Sequence, residues 1–156
     1  MLIRTDERGF TLIEIIAVLI LMGIVAVVVA AKYSSPDVYA VSSELETLKT
    51  NLRFAQLKAM NELDGTTWGI KFSATSNAVS YALIKTTGGV QSSPVLLPGD
   101  STATHTLTSG ITATTTVNPI VFDNWGSPGT ASITIGLTNS AFSPSATVTK
   151  NTGFIS

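Results

Sequence analysis

An uncharged and continuously apolar run, residues 15–31, limits what this chain can fold into more than any other feature. With the residues just before it, the stretch from Phe10 to Ala31 holds 22 residues. As a helix rising about 1.5 Å per residue, it would be about 33 Å long, enough to cross the roughly 30 Å hydrocarbon core of a bilayer. The run is apolar on every side, unlike the one-sided stripe of an ordinary surface helix. We therefore predict a helix that lies in lipid or among other apolar helices.

One carboxylate, Glu14, lies inside this predicted helix near its start. A charged side chain within a bilayer costs at least about 2.5–3.5 kcal/mol, so an acid in this position predicts a function and a positively charged partner. The next basic side chain along the sequence is Lys32, beyond the far end of the run. The nearest candidate is an α-amino group created by a cut between Gly9 and Phe10. That amine would lie one helical turn before Glu14, on the same helix or on a neighbouring copy.

The sequence of residues 9–14, Gly-Phe-Thr-Leu-Ile-Glu, resembles the cleavage and methylation signature of type IV prepilins and type II secretion pseudopilins. The resemblance implies that prepilin peptidase cuts between Gly9 and Phe10, that the Phe10 amine is methylated, and that Glu14 guides assembly into a filament. It implies as partners other pilin or pseudopilin subunits, an inner-membrane assembly platform and membrane lipid. Two alternatives stay open: a secretory signal peptide cut after the run, near residues 26–31, and a plain single-span anchor.

Three later segments are similar to the GspH/FimT-type minor pseudopilins: a helix segment at 52–60, a Phe-x-x-x-Gly strand and turn within 121–129, and a short Gly-containing final strand at 150–155. The resemblance implies an α+β fold. In that fold a long N-terminal helix, first transmembrane and then amphipathic, packs its second half on antiparallel β-sheets. The regions expected from it are a leader peptide at 1–9, a transmembrane or filament-core helix at 10–31, an amphipathic half at 32–65 and a β-rich periplasmic domain at 66–156.

The segment 38–63 predicts an amphipathic helix. Its apolar residues recur at spacings of three and four, and so lie on one face: Val38, Val41, Leu45, Leu48, Leu52, Ala55, Ala59 and Leu63. This face is typical of a helix packed on the sheet of its own domain, with a coiled coil to another chain as the alternative. Pro36 predicts either a new helix start or a kink in one continuous helix, and we expect the kink. We expect Asp64-Gly65 to end the helix, because glycine tolerates the left-handed closing position.

From residue 66 onward the apolar period changes from the helical value to that of a strand. Alternation at 68–72 and 79–83 predicts a hairpin around a turn at 73–77. Gly88-Gly89 predicts a second turn, and the prolines at 94 and 98 limit the residues between them to a short edge piece. Further strands are expected at 104–107, 111–117, 120–122, 131–137 and 146–149, with a turn at 126–129.

Residue content argues against an enzyme and predicts neither a cofactor nor a metal. The chain has no cysteine and one histidine, His105, which we expect at the surface. This leaves no disulfide, no thiolate or imidazole metal set and no catalytic triad. Loop oxygens that could bind calcium belong to Asp64, Asp100, Asp123 and Asn124. Their spacing does not resemble a calcium loop, so we expect them to cap turns.

The charge balance argues against DNA as a partner. Charged residues are 12% of the chain and the formal net charge is −1. Some FimT-type minor pilins take up DNA through an arginine-bearing C-terminal tail, whereas the tail here, 153–156, has no arginine. Because affinity for DNA depends on neutralising phosphates, DNA binding is disfavoured.

The leader carries Arg4 and Arg8, which favour a cytoplasmic leader and a periplasmic C-terminal domain. The sequence therefore predicts a single-pass protein of the bacterial inner membrane that joins a filament after processing. Its expected role is that of a structural subunit, a minor pilin or pseudopilin, of a type IV pilus or a type II secretion pseudopilus. The alternative is a membrane-anchored periplasmic module that binds a secreted substrate or DNA.

Overall fold

The computed structural model describes residues 10–32, 36–62, 64–75 and 78–156, and it divides the chain into two compact units, Met1–Pro36 and Asp37–Ser156. The described elements are two helices followed by eight strands: α1 (Leu12–Lys32), α2 (Pro36–Met60), β1 (Thr67–Ala74), β2 (Val79–Thr87), β3 (Val90–Gln91), β4 (His105–Thr106), β5 (Thr112–Thr115), β6 (Ile120–Phe122), β7 (Ile133–Thr138) and β8 (Ser145–Val148). All strand pairs are antiparallel. The expected α+β class, with an apolar N-terminal helix, a second helix and antiparallel sheets, is confirmed.

α1 confirms the helix that was predicted from the apolar run. Within the described residues, Leu12–Val29 is the one segment long and apolar enough to span a membrane. Its large side chains are exposed on every side, from 43% at Ile16 to 79% at Leu12. Removing apolar surface from water is worth about 25 cal/mol per Å². A helix with this surface is therefore stabilised by lipid or by other apolar helices, and not by water.

α2 confirms the amphipathic stripe. Six of the eight predicted positions are at most 5% exposed: Val41, Leu45, Leu48, Leu52, Ala55 and Ala59. Val38 is half-buried, and Leu63 lies outside the described residues. The question whether Pro36 kinks one continuous helix also falls outside them, because it depends on residues 33–35. Pro36 itself occupies the first position of α2, where its missing N–H does no harm.

The predicted end of this helix is wrong. α2 ends at Met60, although Asn61 still donates its N–H to the carbonyl of Leu57 at 3.1 Å. The carbonyl of Ala59 then accepts from the N–H of Glu62 at 3.3 Å, a tighter closing turn. Gly65 does have a positive φ of 75°, but it belongs to the turn that leads into β1. The glycine therefore marked the start of the sheet and not the end of the helix.

The first sheet has the order β3-β2-β1-β6, with β4 also paired to β2. The predicted hairpin is confirmed, because β1 and β2 pair from Thr67 opposite Thr86 to Ala74 opposite Val79. Residues 76 and 77 of its turn are outside the described part of the chain. Simple alternation in β2 is wrong, since Ala82 and Ile84 are buried as well as their neighbours Tyr81 and Leu83. The chain returns across that second face, where Pro94 and Thr104 lie beside them.

The second sheet has the order β5-β7-β8, and the final residues add to its edge where Ile155 bridges Val148. Ile133, Ile135 and Leu137 of β7 form its buried face. The buried face of α2 joins the inner faces of both sheets in one hydrophobic core. The strands and turns expected after residue 87 are confirmed in their order, including the edge bridge of Val95.

Candidate assembly site

Thr11 and Glu14 form the start of α1. The N–H of Glu14 donates to the Thr11 carbonyl at 3.1 Å and to the Thr11 hydroxyl at 3.3 Å. A threonine followed three positions later by a glutamate is a sequence signature of a helix N-terminus, and sequence reasoning could have used it here. An acid in the first turn also lies near the positive end of the helix dipole. Glu14 therefore has a favourable local setting in addition to its expected role in assembly.

Both described residues of the expected processing and assembly site can be reached by another chain. Phe10 precedes α1 with a side chain that is 79% exposed, and Glu14 is also exposed. Gly9, on the other side of the expected cut, lies outside the described residues. Lys32, the cation on the described part of α1, lies at the opposite end of this 21-residue helix. Glu14 is therefore placed to accept a cation from elsewhere.

The three later segments, 52–60, 121–129 and 150–155, meet at one side-chain amide. Gln56 of α2 donates from its Nε2 atom to the Gly126 carbonyl at 2.8 Å and to the Gly153 carbonyl at 3.1 Å. Both glycines have a positive φ, of 75° and 65°. A side chain on Gly153 would also collide with the Gly126 carbonyl oxygen. Three segments far apart in the sequence are thus joined through Gln56, Gly126 and Gly153, and we call this contact the Gln56 clasp.

A hydrogen-bonded turn beside the clasp presents an aromatic side chain to solvent. Oδ1 of Asp123 accepts from the N–H groups of Trp125 at 2.9 Å and of Ser127 at 2.8 Å. The Trp125 side chain is 82% exposed. Turn capping is confirmed for Asp123, and for Asp64, which accepts from the Thr66 N–H at 3.0 Å. The described residues contain no group of three or more candidate ligands arranged to hold a metal ion.

His105 is partly exposed, and it is more enclosed than the surface position that was expected. Its side chain is 18% exposed and lies between two carboxylates from different elements. Nε2 is 3.1 Å from Glu44 Oε2, and Nδ1 is 3.0 Å from Asp100 Oδ1. Asp100 therefore binds an imidazole and does not cap a turn as expected. Glu44 lies 61 positions from His105, and no spacing rule connects residues so far apart.

The surroundings shift the pKa values of His105, Glu44 and Tyr81. Burial alone would lower the pKa of His105, but hydrogen bonds and charge from Asp100 and Glu44 outweigh it and raise that pKa above its usual value. Burial alone would raise the pKa of Glu44, yet hydrogen bonds from Thr108 and His105 leave it lowered. Burial also raises the pKa of Tyr81, whose ring lies 4.8 Å from the imidazole, so its phenol stays neutral.

Comparison with known proteins bears on the N-terminal helix. Residues 4–30 match the family model described as the prokaryotic N-terminal methylation motif. No curated protein and no solved structure matches the chain. The match includes Phe10, Glu14 and most of α1, and it does not extend into the β-rich unit. It supports a type IV pilin-like protein and points to a substrate of prepilin peptidase.

Proposed function

We propose that this chain is a structural subunit, a minor pilin or pseudopilin, of a type IV pilus or a type II secretion pseudopilus. The observation that carries the proposal is the methylation motif at residues 4–30, on a helix with no polar face and an acid in its first turn. The kinship with GspH/FimT-type subunits is part of the proposal. It is supported by the order of the three later segments and by their meeting at the Gln56 clasp.

Before assembly, α1 holds the subunit in the inner membrane, with the leader in the cytoplasm and the β-rich unit in the periplasm. Prepilin peptidase then cuts between Gly9 and Phe10 and the new amine is methylated. The methylated amine keeps its positive charge, so it can still pair with a carboxylate. This processing creates a cation at the start of α1, close to Glu14, whereas Lys32 lies at the opposite end of that helix.

Assembly follows from the cost of isolated charge in hydrocarbon. A lone carboxylate there costs at least about 2.5–3.5 kcal/mol. Docking at the base of a filament places Glu14 beside the Phe10 amine of a neighbouring subunit and removes two unpaired charges together. Breaking such a buried pair by deleting one member costs about 3–5 kcal/mol. The pairing therefore favours assembled subunits over single ones in the membrane.

Intact-mass measurement of the chain purified from its native membrane tests this proposal. We expect a protein that begins at Phe10 and carries one added methyl group. The Gly9→Val variant provides the control, because a larger residue before the cut should block processing and keep the full-length mass. A wild-type chain that still begins at Met1, or equal processing of the variant, would overturn the proposal.

A second candidate function is a membrane-anchored periplasmic module that binds a secreted substrate. The specific observation in its favour is Trp125, an exposed indole on a turn hydrogen-bonded to Asp123. Exposed aromatic side chains on fixed backbone are common anchors for binding. The same mass measurement separates the two functions, since a simple anchor needs no cut and no methyl group.

A further inference from the structure

Three elements of the β-rich unit converge on His105. Glu44 comes from α2 and Asp100 from the segment before β4. Tyr81 comes from β2, and its ring packs on the imidazole. We propose that His105 is a proton-dependent clamp: while both ring nitrogens carry protons it ties Asp100 to Glu44, and loss of one proton weakens the hold of α2 on the segment 100–108, leaving the two hydrogen bonds from Thr108 to Glu44. The proposal is independent of filament assembly and concerns the β-rich unit alone.

While both carboxylates are ionised, the geometry requires a doubly protonated ring. An ionised carboxylate can only accept hydrogen bonds, and a neutral imidazole can donate from one nitrogen only. Here both ring nitrogens lie 3.0–3.1 Å from a carboxylate oxygen. Both bonds form together only when His105 is the imidazolium cation. After deprotonation, one ring nitrogen would point a lone pair at a carboxylate.

Among the described residues, the groups that act on His105 include no competing cation. The charged groups that act on its protonation are Asp100 and Glu44. Glu44 is fixed in place because its Oε1 atom accepts from the N–H of Thr108 at 3.1 Å and from its hydroxyl at 2.7 Å. Tyr81 is neutral, and its hydroxyl accepts from Asn51 Nδ2 at 2.9 Å. One imidazolium thus serves two carboxylates, so loss of its charge removes an ion pair from both and a hydrogen bond from one of them.

Besides the two hydrogen bonds from Thr108 to Glu44, the clamped segment has few other attachments. β4 pairs with β2 at only two positions, Thr106 opposite Ser80 and His105 opposite Tyr81. Beyond it, Leu107 is buried in the core and its N–H donates to the Val79 carbonyl at 2.9 Å. Segments with few buried contacts open locally before the whole domain unfolds. Loss of the proton from His105 would therefore favour local opening around Leu107 and the edge of β2 before the rest of the core unfolds.

The direction of the pH effect follows from the two altered groups. The pKa of His105 is raised in the fold, so its stabilisation is complete below about 6.5, the value of a free imidazole, and is lost as the pH rises through the folded-state value. The pKa of Glu44 is lowered, so its stabilisation is lost as the pH falls through that lowered value. The segment should be held most firmly from mildly acidic to neutral pH and should loosen in alkaline solution.

NMR of the full chain in detergent micelles tests the clamp. His105 is the one histidine of the chain, so its ring C–H signals can be followed alone through a pH titration. We expect a midpoint above about 6.5. Amide hydrogen exchange at residues 105–108, corrected for the intrinsic rate, should speed up between pH 7 and pH 9. The total increase should approach about tenfold for each unit by which the midpoint exceeds that of free histidine.

Three variants make the test specific. His105→Gln should remove the pH dependence of exchange at 105–108. Glu44→Gln should lower the titration midpoint of His105, because it replaces one charged acceptor with a neutral one of the same shape. Glu46→Gln is the matched control on the same helix, since this carboxylate is exposed and pairs with Lys49, and it should leave the midpoint unchanged.

A midpoint at or below about 6.5 would overturn the clamp, as would equal midpoints in Glu44→Gln and Glu46→Gln. The same holds if His105→Gln keeps the pH dependence of the wild-type chain. Should His105→Gln fail to fold, the midpoints of the wild-type chain and the two glutamate variants still decide the matter.

Discussion

The two helices of this chain are similar in length, 21 residues in α1 and 25 in α2, but they are stabilised by different surroundings. α2 buries one stripe of side chains in the core of its own unit and leaves its polar side to solvent. α1 has apolar residues on all sides and exposes all of its large ones. The difference teaches that α2 is a folding element, whereas α1 depends on a partner from outside the folded unit. Substitutions in α1 should therefore change assembly, and substitutions in α2 should change stability.

The largest effect is expected from Glu14→Ala in α1. Removing one member of the proposed ion pair should reduce incorporation into sheared filaments by the equivalent of about 3–5 kcal/mol, because the Phe10 amine of the neighbour is left unpaired. The variant should still enter the membrane, and its β-rich unit should keep the wild-type unfolding transition. Glu46→Ala, an exposed acid on α2, is the control. Equal incorporation of Glu14→Ala and the wild-type chain would contradict the pairing.

Leucine-to-alanine substitutions on the two helices should differ in their effect on the stability of the β-rich unit. Leu52→Ala should destabilise the β-rich unit by about 2–5 kcal/mol, because a fully buried side chain is replaced by a cavity. Leu57→Ala, at a position 57% exposed on the same helix, should change stability by less than about 0.5 kcal/mol. Leu19→Ala in α1 should leave this unit unchanged. Denaturant unfolding in micelles, followed by the fluorescence of buried Trp68, measures all three. Equal losses for Leu52→Ala and Leu57→Ala would show that α2 is not packed as described.

The Gln56 clasp should make Gly153 far more sensitive than another glycine of similar backbone. Gly153→Ala should cost about 2–4 kcal/mol, combining the left-handed conformation with a collision against the Gly126 carbonyl. Gly88 has a similar φ of 59° but no atom within 4 Å of the added carbon. Gly88→Ala should therefore cost only about 1–2 kcal/mol. The same unfolding measurement compares the two, and equal costs would mean that the clasp contributes nothing.

The smallest of these main effects is expected from Glu44 on α2, which is compared with Glu46 two positions further on. Glu44→Ala should destabilise by about 1.5–3 kcal/mol at neutral pH, because it leaves an imidazolium and the N–H of Thr108 without their acceptor. Glu46→Ala removes a pair with Lys49 on an exposed side chain and should cost less than about 0.5 kcal/mol. Thermal unfolding in micelles at pH 7 compares the two variants. If Glu46→Ala lost as much stability as Glu44→Ala, the contacts of Glu44 with His105 and Thr108 would not explain its contribution to stability.

Most of the fold could be predicted because its signals are local. Each signal depends only on residues close together in the sequence. This holds for the apolar run at 15–31, the stripe from Val41 to Ala59 and the alternation around Trp68. The same holds for β6, whose bounds were predicted without error. The end of α2 was predicted too late because a glycine with positive φ can close a helix or form a turn before a strand. Gly65 forms the turn before β1. β2 departed from alternation because a distant segment covers its second face.

The candidate site divides in the same way. Residues 4–30 hold the methylation motif in one continuous stretch, so Gly9, Phe10 and Glu14 could be named as candidates from the sequence. His105 could not be paired with Glu44, because the two are brought together only when β4 lies beside β2 and faces α2. The sequence likewise did not predict that Gln56 links two glycines that lie 70 and 97 positions further on.

By itself, the sequence determined which segment needs an apolar environment, which helix has a buried side and where the chain changes from helix to strand. Those properties depend on the period of apolar residues, which is set by the geometry of the backbone within each element. Only the tertiary structure decided the partners of His105, Gln56 and the second face of β2. Such contacts form between elements far apart in the chain, and the energy of burying a charge or closing a turn depends on neighbours that no spacing rule records.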